Sequence, residues 1–127
     1  MPLDDVIEHS AGHDAITFFF SGIRLRNAFL AFITDNEEGK PGLGNIALAA
    51  PTRVTDAPLI ASAIPGMNPK YEILAKSIGE MMGKKLHMPI FLFLDVRFES
   101  TDPKLIKALK VDADEFCMIV AEQLGQE

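Results

Sequence analysis

Few side chains in this sequence stand at spacings that could do chemistry. His9 and His13 lie four residues apart. On a helix that spacing puts both rings on one face, where Glu8 or Asp14 could help them hold a metal ion. Two imidazoles alone make a poor site, and the plainer reading is a solvated N-terminal turn, so no metal is expected. Asp95 is the one carboxylate inside the apolar run Leu86–Val96, where it could serve as a general acid or pair with Arg97 or Lys85. His87, at the start of that run, reads as a structural polar group. Cys117 falls on an apolar helical stripe and reads as a small hydrophobe rather than a nucleophile. Ser10, Ser21, Ser62, Ser77 and Ser100 lack the strand–turn–helix context of an activated serine. No strand leads into the glycines of the Gly39–Gly44 segment and no helix follows them, so a hairpin loop is expected rather than a phosphate cradle. The turn Ile64–Pro69 could hold an anion at a helix N-terminus, but Asn68 is itself a suitable cap for those N–H groups. Nothing assembles a nucleophile, a base and an oxyanion donor. No enzyme is expected, and no catalytic, cofactor-binding or metal-ligating residue is assigned.

Composition narrows the classes further. The chain has 127 residues, 48% hydrophobic, with 12 Lys+Arg against 18 Asp+Glu and a formal charge of −6. That length suits a single domain over 1–127, with 1–13 as a short helical turn or a loose N-terminal arm. One cysteine excludes an internal disulfide framework. The acidic balance argues against nucleic acid as a partner, since phosphate binding needs clustered cations. No apolar stretch approaches the ~20 residues that span a bilayer, and the acidic start Met1–Asp5 is no secretion signal. A cytoplasmic protein without membrane association is expected. Yet the mean hydropathy is positive, at +0.16. A membrane-free acidic chain has to place that apolar excess somewhere.

Hydrophobic periodicity supplies the elements. Ile16–Phe20 alternates with period two, and Ser21–Gly22 can bulge or turn it. Arg24–Thr34 resumes the alternation, with Leu25, Asn27, Phe29, Ala31 and Ile33 on one face and Arg24, Arg26, Ala28, Leu30 and Phe32 on the other. Asp35–Leu43 is a loop by every local rule. Asn45–Ala50 and Leu59–Ile64 read as short strands fenced by prolines. Asn68–Pro69 starts a helix whose stripe is Tyr71, Leu74, Ala75, Ile78 and Met82, with Gly83 as its C-terminal cap. Leu86–Val96 reads as a strand buried on both faces. Thr101–Pro103 starts a further helix that could break at Val111–Asp112 before the final run to Leu124. The order is β-β-β-β-α-β-α. This is an α+β, two-layer architecture: a mostly antiparallel sheet, its strands starting as a meander, with helices packed on one face.

Such a sheet has a second face to cover. Phe18 and Phe20 cannot share a face with Phe19, so both faces of that strand bury something. The economical cover is a second subunit packing sheet on sheet, with Phe18, Phe19, Phe20, Phe29 and Phe32 as the expected dimer interface. Ile73 and Met118 fall outside the apolar stripes of their helices, beside Lys76 and Glu122. Arg24 and Arg26 form a basic pair on an acidic protein. These six residues are the expected contacts for a protein partner, where charge favours fast association.

The pattern resembles the small proteasome-assembly chaperones, types three and four. The resemblance is carried by Pro58–Ile64, the helix ending Met82–Gly83–Lys84–Lys85, the strand His87–Leu92 and the acidic C-terminal helix. The pair Phe29–Ile33 and Asn45–Ala49 fits as well, and the likeness extends over about Ile16–Leu124. It implies a two-layer fold, a homo- or heterodimer, no catalysis and no cofactor, and proteasome α-type subunits as partners. The Asp35–Gly44 loop is long for that family. Leu124–Glu127 lacks the hydrophobic-tyrosine-x ending by which other assembly chaperones dock in α-ring pockets. The competing reading is a small-molecule-binding protein or enzyme with a pocket near the Pro65–Asn68 turn and the strand ends, built around Asn68, Asp95 and Arg97.

Overall fold

The computed structural model describes residues 6–13, 15–40, 42, 44–50, 60–63, 71–98 and 103–125. They form one mixed sheet and two helices, in the order β1 (Ile7–His13), β2 (Ile16–Arg24), β3 (Phe29–Thr34), β4 (Asn45–Ala50), β5 (Ile60–Ala63), α1 (Glu72–Leu86), β6 (Ile90–Asp95) and α2 (Pro103–Gln123). The six strands lie in the order β1-β2-β3-β6-β4-β5. Only β3 and β6 run parallel; the other neighbours are antiparallel. The α+β class, the mostly antiparallel sheet and the helices on one face agree with the sequence periodicity.

Period-two alternation decides which side chains meet the helices. Phe18, Phe20, Phe29, Ala31, Ile33, Ala47, Ala49, Ile90, Leu92 and Leu94 point to one face and are buried there. α1 covers the β4–β5–β6 half of that face and α2 the β1–β2 half, with the two helices in contact along their flanks. The small residues Ala47 and Ala49 let α1 approach closely, because Gly79 stands over them. Larger rings fill the other half. Phe116 of α2 stacks on Phe20 with centroids 5.6 Å apart and lies 6.3 Å from Phe29. Phe18 meets Phe98 edge-on at 5.5 Å.

Several element boundaries differ from the periodicity, each for a physical reason. Ile7–His13 is an extended edge strand, not a helical turn or a loose arm: Ile7, His9, Ala11 and His13 alternate with Glu8, Ser10 and Gly12. β2 runs through Gly22 without breaking, because Gly22 leaves room for the Phe29 ring of the neighbouring strand. The turn falls instead at residues 25–28, where the Leu25 N–H donates to the Ala28 carbonyl at 2.8 Å. β3 and β4 are not paired with each other; β6 inserts between them, so the opening strands do not form a full meander. Gly83 is buried inside α1 and does not cap it. The helix ends one turn later at His87, in the left-handed conformation, whose N–H donates to the Gly83 carbonyl at 2.9 Å. His87 is therefore an exposed cap ahead of β6, not a polar group in the strand. α2 does not break at Val111–Asp112 but is continuous from Pro103 to Gln123.

Candidate protein-interaction surface

The unpartnered face of the sheet is built from the alternate residues of the same strands. Its cross-strand rows follow from the register. One row reads Ile23–Leu30–Phe91–Leu48, apolar across four strands, and continues to Ser62 on β5. The next reads Glu8–Ser21–Phe32–Phe93–Ile46, apolar in its middle and charged at the β1 edge, with the Phe32 and Phe93 rings stacked at 5.1 Å. A third row, Phe19–Thr34–Asp95, turns polar. Phe91 and Leu48 keep 39% and 37% of their surface exposed, and Ile23, Leu30, Phe32, Ile46 and Phe93 are half-buried. Apolar side chains from four neighbouring strands thus share this face.

This geometry divides the five phenylalanines expected at the interface. Phe19 and Phe32 lie on the open face. Phe18, Phe20 and Phe29 point the other way and are fully buried beneath α2, so they are core residues and leave the interface set. Leu30, Phe91, Phe93, Ile46, Leu48 and Ile23 share the open face with Phe19 and Phe32. Their signal was present in sequence, because Leu86–Val96 reads as apolar on both faces. A sheet with one helical layer must present one of those faces outward.

The polar end of the open face is organised by the β3–β4 connection. The Asp35 carboxylate accepts backbone N–H bonds from Arg97 at 2.9 Å and Phe98 at 2.8 Å, tying β3 to the chain beyond β6. The Tyr71 hydroxyl donates to the Phe98 carbonyl, anchoring the start of α1 at the same place. Gly39 sits against the Phe19 ring, and Gly42 against the Asp95 carboxylate. A groove of about 420 Å³ remains, lined by Glu8, Ser10, Phe19, Ser21, Thr34 and neighbours. Of the cluster Asn68, Asp95 and Arg97, Asp95 lies on the open face and the Arg97 N–H is held by Asp35. Asn68 and the Pro65–Asn68 turn lie outside the described residues.

The six expected partner contacts do not form one patch. Arg24 pairs with Phe29 and so belongs to the helix side of the sheet, not to the face of Leu30 and Phe32; the turn at residues 25–28 resets the alternation. Arg26 is exposed in that turn. Ile73 and Met118 are 82% and 61% exposed on the outer surface of α1 and α2, with Lys76 and Glu122 on the same helices.

The histidine pair is placed differently again. On a strand, residues four apart are separated by roughly 13 Å, so His9 and His13 cannot share an ion. Each ring instead faces α2: His13 Nε2 meets the Asp112 carboxylate at 2.5 Å, and His9 Nε2 lies 3.7 Å from Glu115. Asp112 is only 5% exposed, which explains a carboxylate on the core stripe of a helix. Among the described residues, no group of three or more histidine, cysteine or acidic side chains could hold a metal. Cys117 is buried, and burial pushes its thiol up to about 12, with the Asp114 carboxylate acting in the same direction and Lys85 opposing. It is inert packing.

No protein-family model matches the sequence. Nor does any curated protein. The fold is similar to that of a solved structure. A chain from a chaperone complex for yeast 20S proteasome assembly superposes with a TM-score of 0.65, at 10% identity, over 94% of this chain and 95% of that chain. Among the described residues, no helix is long and apolar enough to cross a membrane.

Proposed function

We propose that this chain is a non-catalytic protein-binding module of the proteasome-assembly-chaperone type, working in the cytoplasm as a homodimer that binds proteasome α-type subunits. The observation that carries this reading is the fold likeness over nearly the whole of both chains, with a protein that itself belongs to a chaperone complex for 20S proteasome assembly. A fold does not by itself dictate function. The second support is therefore the surface: an open apolar sheet face on an acidic chain, with Ile73 and Met118 exposed on the opposite layer. Two opposed surfaces suit a protein that pairs with itself through the sheet and presents its helices to a client.

The test uses purified components. The protein is mixed with individual proteasome α-type subunits and the complexes are sized by light scattering on a gel-filtration column. Stable co-elution with at least one α-type subunit is expected. Independent elution of every α-type subunit at concentrations of tens of micromolar overturns the client assignment.

A further inference from the structure

We propose that the outer edge of β1 is a strand-addition site, which takes an extended segment of a partner protein that alternates apolar and basic side chains. The site goes beyond the reading above and uses neither the central apolar rows of the open face nor Ile73 and Met118. β1 is an outermost strand of the sheet, with β2 on its inner side and no described strand on its outer side. Alternate residues of such a strand turn their N–H and C=O groups outward, unpaired. Edges are ordinarily blunted by lysine, proline or a bulge. Ile7–His13 has none of the three, and it pairs one-to-one with β2 over seven consecutive residues. At ~3.3 Å per residue that is a regular template of about 23 Å.

The two faces beside this edge set the chemistry of the added strand. On the helix side, Asp112 and Glu115 of α2 meet His13 and His9. Ala108 precedes Asp112 by four residues and Ile119 follows Glu115 by four, so both share the flank of α2 that overlooks β1. Both are half-buried and packed against the core, and apolar residues of an added strand would complete their cover. On the open side, Glu8, Ser10 and Gly12 are exposed. The groove of about 420 Å³ lies here, with the Glu8 carboxylate, the Ser10 and Ser21 hydroxyls and the Phe19 ring in its lining, and no lysine or arginine among its described lining residues. A carboxylate, hydroxyl acceptors and an aromatic ring suit an ammonium or guanidinium group. A long basic side chain on the added strand leans across β1 to reach them, and opposite charges on neighbouring strands attract. An acidic segment would instead meet Glu8 on one face and Glu115 on the other. β1 of a second copy carries no lysine or arginine for this groove, so the occupant is a different chain.

Two measurements on the full chain test this. In the first, a fluorescent peptide of alternating valine and lysine, about eight residues long to match β1 and blocked at both ends, is titrated with the protein and followed by anisotropy. Saturable binding is expected. The same peptide with glutamate in place of lysine should bind about 10-fold more weakly, and Glu8→Lys should weaken the lysine peptide by about 5-fold. Ile73→Asp, on the outer surface of α1, should leave binding unchanged. In the second, amide hydrogen exchange locates the peptide: exchange across Ile7–His13 should slow when it is added, and exchange across β6 should not. No saturation up to about 1 mM protein, a threshold that corresponds to negligible affinity, or binding that leaves β1 exchange unchanged, overturns the site. Equal affinity for the lysine and glutamate peptides overturns the partner chemistry. Protection of β1 that grows with protein concentration in the absence of peptide makes a second copy the occupant and overturns the proposal as well.

Discussion

The same chemical change, glycine to alanine, should move stability in opposite directions at two positions in this fold. Gly22 lies in β2 with the Phe29 ring laid across it, and a Cβ there would overlap that ring. Phe29 is completely buried, its ring 6.3 Å from that of Phe116. Overpacking of this kind costs about 1–3 kcal/mol, and full displacement of the ring would approach the ~3–5 kcal/mol of a phenylalanine truncation. Gly22→Ala is therefore expected to destabilise by about 2–3 kcal/mol. Gly79 sits mid-helix in α1, where a Cβ would stand 3.7 Å from the Cβ atoms of both Ala47 and Ala49, an ordinary van der Waals contact. Replacing a helical glycine by alanine recovers up to ~1 kcal/mol of backbone entropy. Gly79→Ala is expected to stabilise by about 0.5–1 kcal/mol. Urea unfolding at one fixed protein concentration reads both, since self-association makes stability concentration-dependent. Thermal midpoints should fall by roughly 10 °C for the first and rise by roughly 3 °C for the second. A Gly22→Ala protein within ~0.5 kcal/mol of the parent would show that Phe29 does not pack across β2 as described. A Gly79→Ala protein destabilised by more than ~1 kcal/mol would place α1 closer to β4 than it is here.

Three further outcomes are expected. Removing His13 leaves the buried Asp112 carboxylate without that ring, so His13→Ala should cost about 1–3 kcal/mol, and adding Asp112→Leu should restore part of the loss in a double-mutant cycle; strict additivity would remove the pair's role. Cys117 should react with thiol reagents only as fast as the protein opens. Its folded thiol is neutral up to about 12, so its contribution to stability is complete below the unfolded pKa and is lost as pH rises from there toward 12. Cys117→Ala should show a flatter decline over that range, and an unchanged decline would mean the thiol is not buried. Ile73→Asp combined with Met118→Asp should abolish capture of α-type subunits while leaving dimer mass and melting unchanged, because both side chains are exposed on the helical layer; undiminished capture would move the client surface elsewhere.

Much of the architecture was legible because alternation and helical spacing respond to burial. Phe29, Ala31 and Ile33 read as one buried face, and Tyr71, Leu74, Ala75, Ile78 and Met82 as a stripe, and all are buried. What stayed hidden depends on partners remote in sequence. β1 carries two histidines, a serine and a glycine, a composition with no strand signal; it becomes a strand because β2 pairs along its whole length and α2 supplies Asp112 and Glu115 opposite its rings. The continuity of β2 through Gly22 depends on a ring from β3. The insertion of β6 between β3 and β4 is a topological fact with no local trace. For the interaction surface, sequence located the apolar excess in two-faced strands but could not say which face the helices take. That choice sends Phe18 and Phe20 inward and leaves Phe19 and Phe32 outside.

The proposed dimer forms through the open face of Leu30, Phe32, Phe91 and Phe93. Sedimentation equilibrium of the parent and of Phe93→Asp at micromolar concentration tests it most directly. Twice the 13.9 kDa chain mass is expected for the parent and the single mass for the variant, with both folded. A parent that sediments at 13.9 kDa throughout that range, or a Phe93→Asp protein that remains a full dimer, would contradict it.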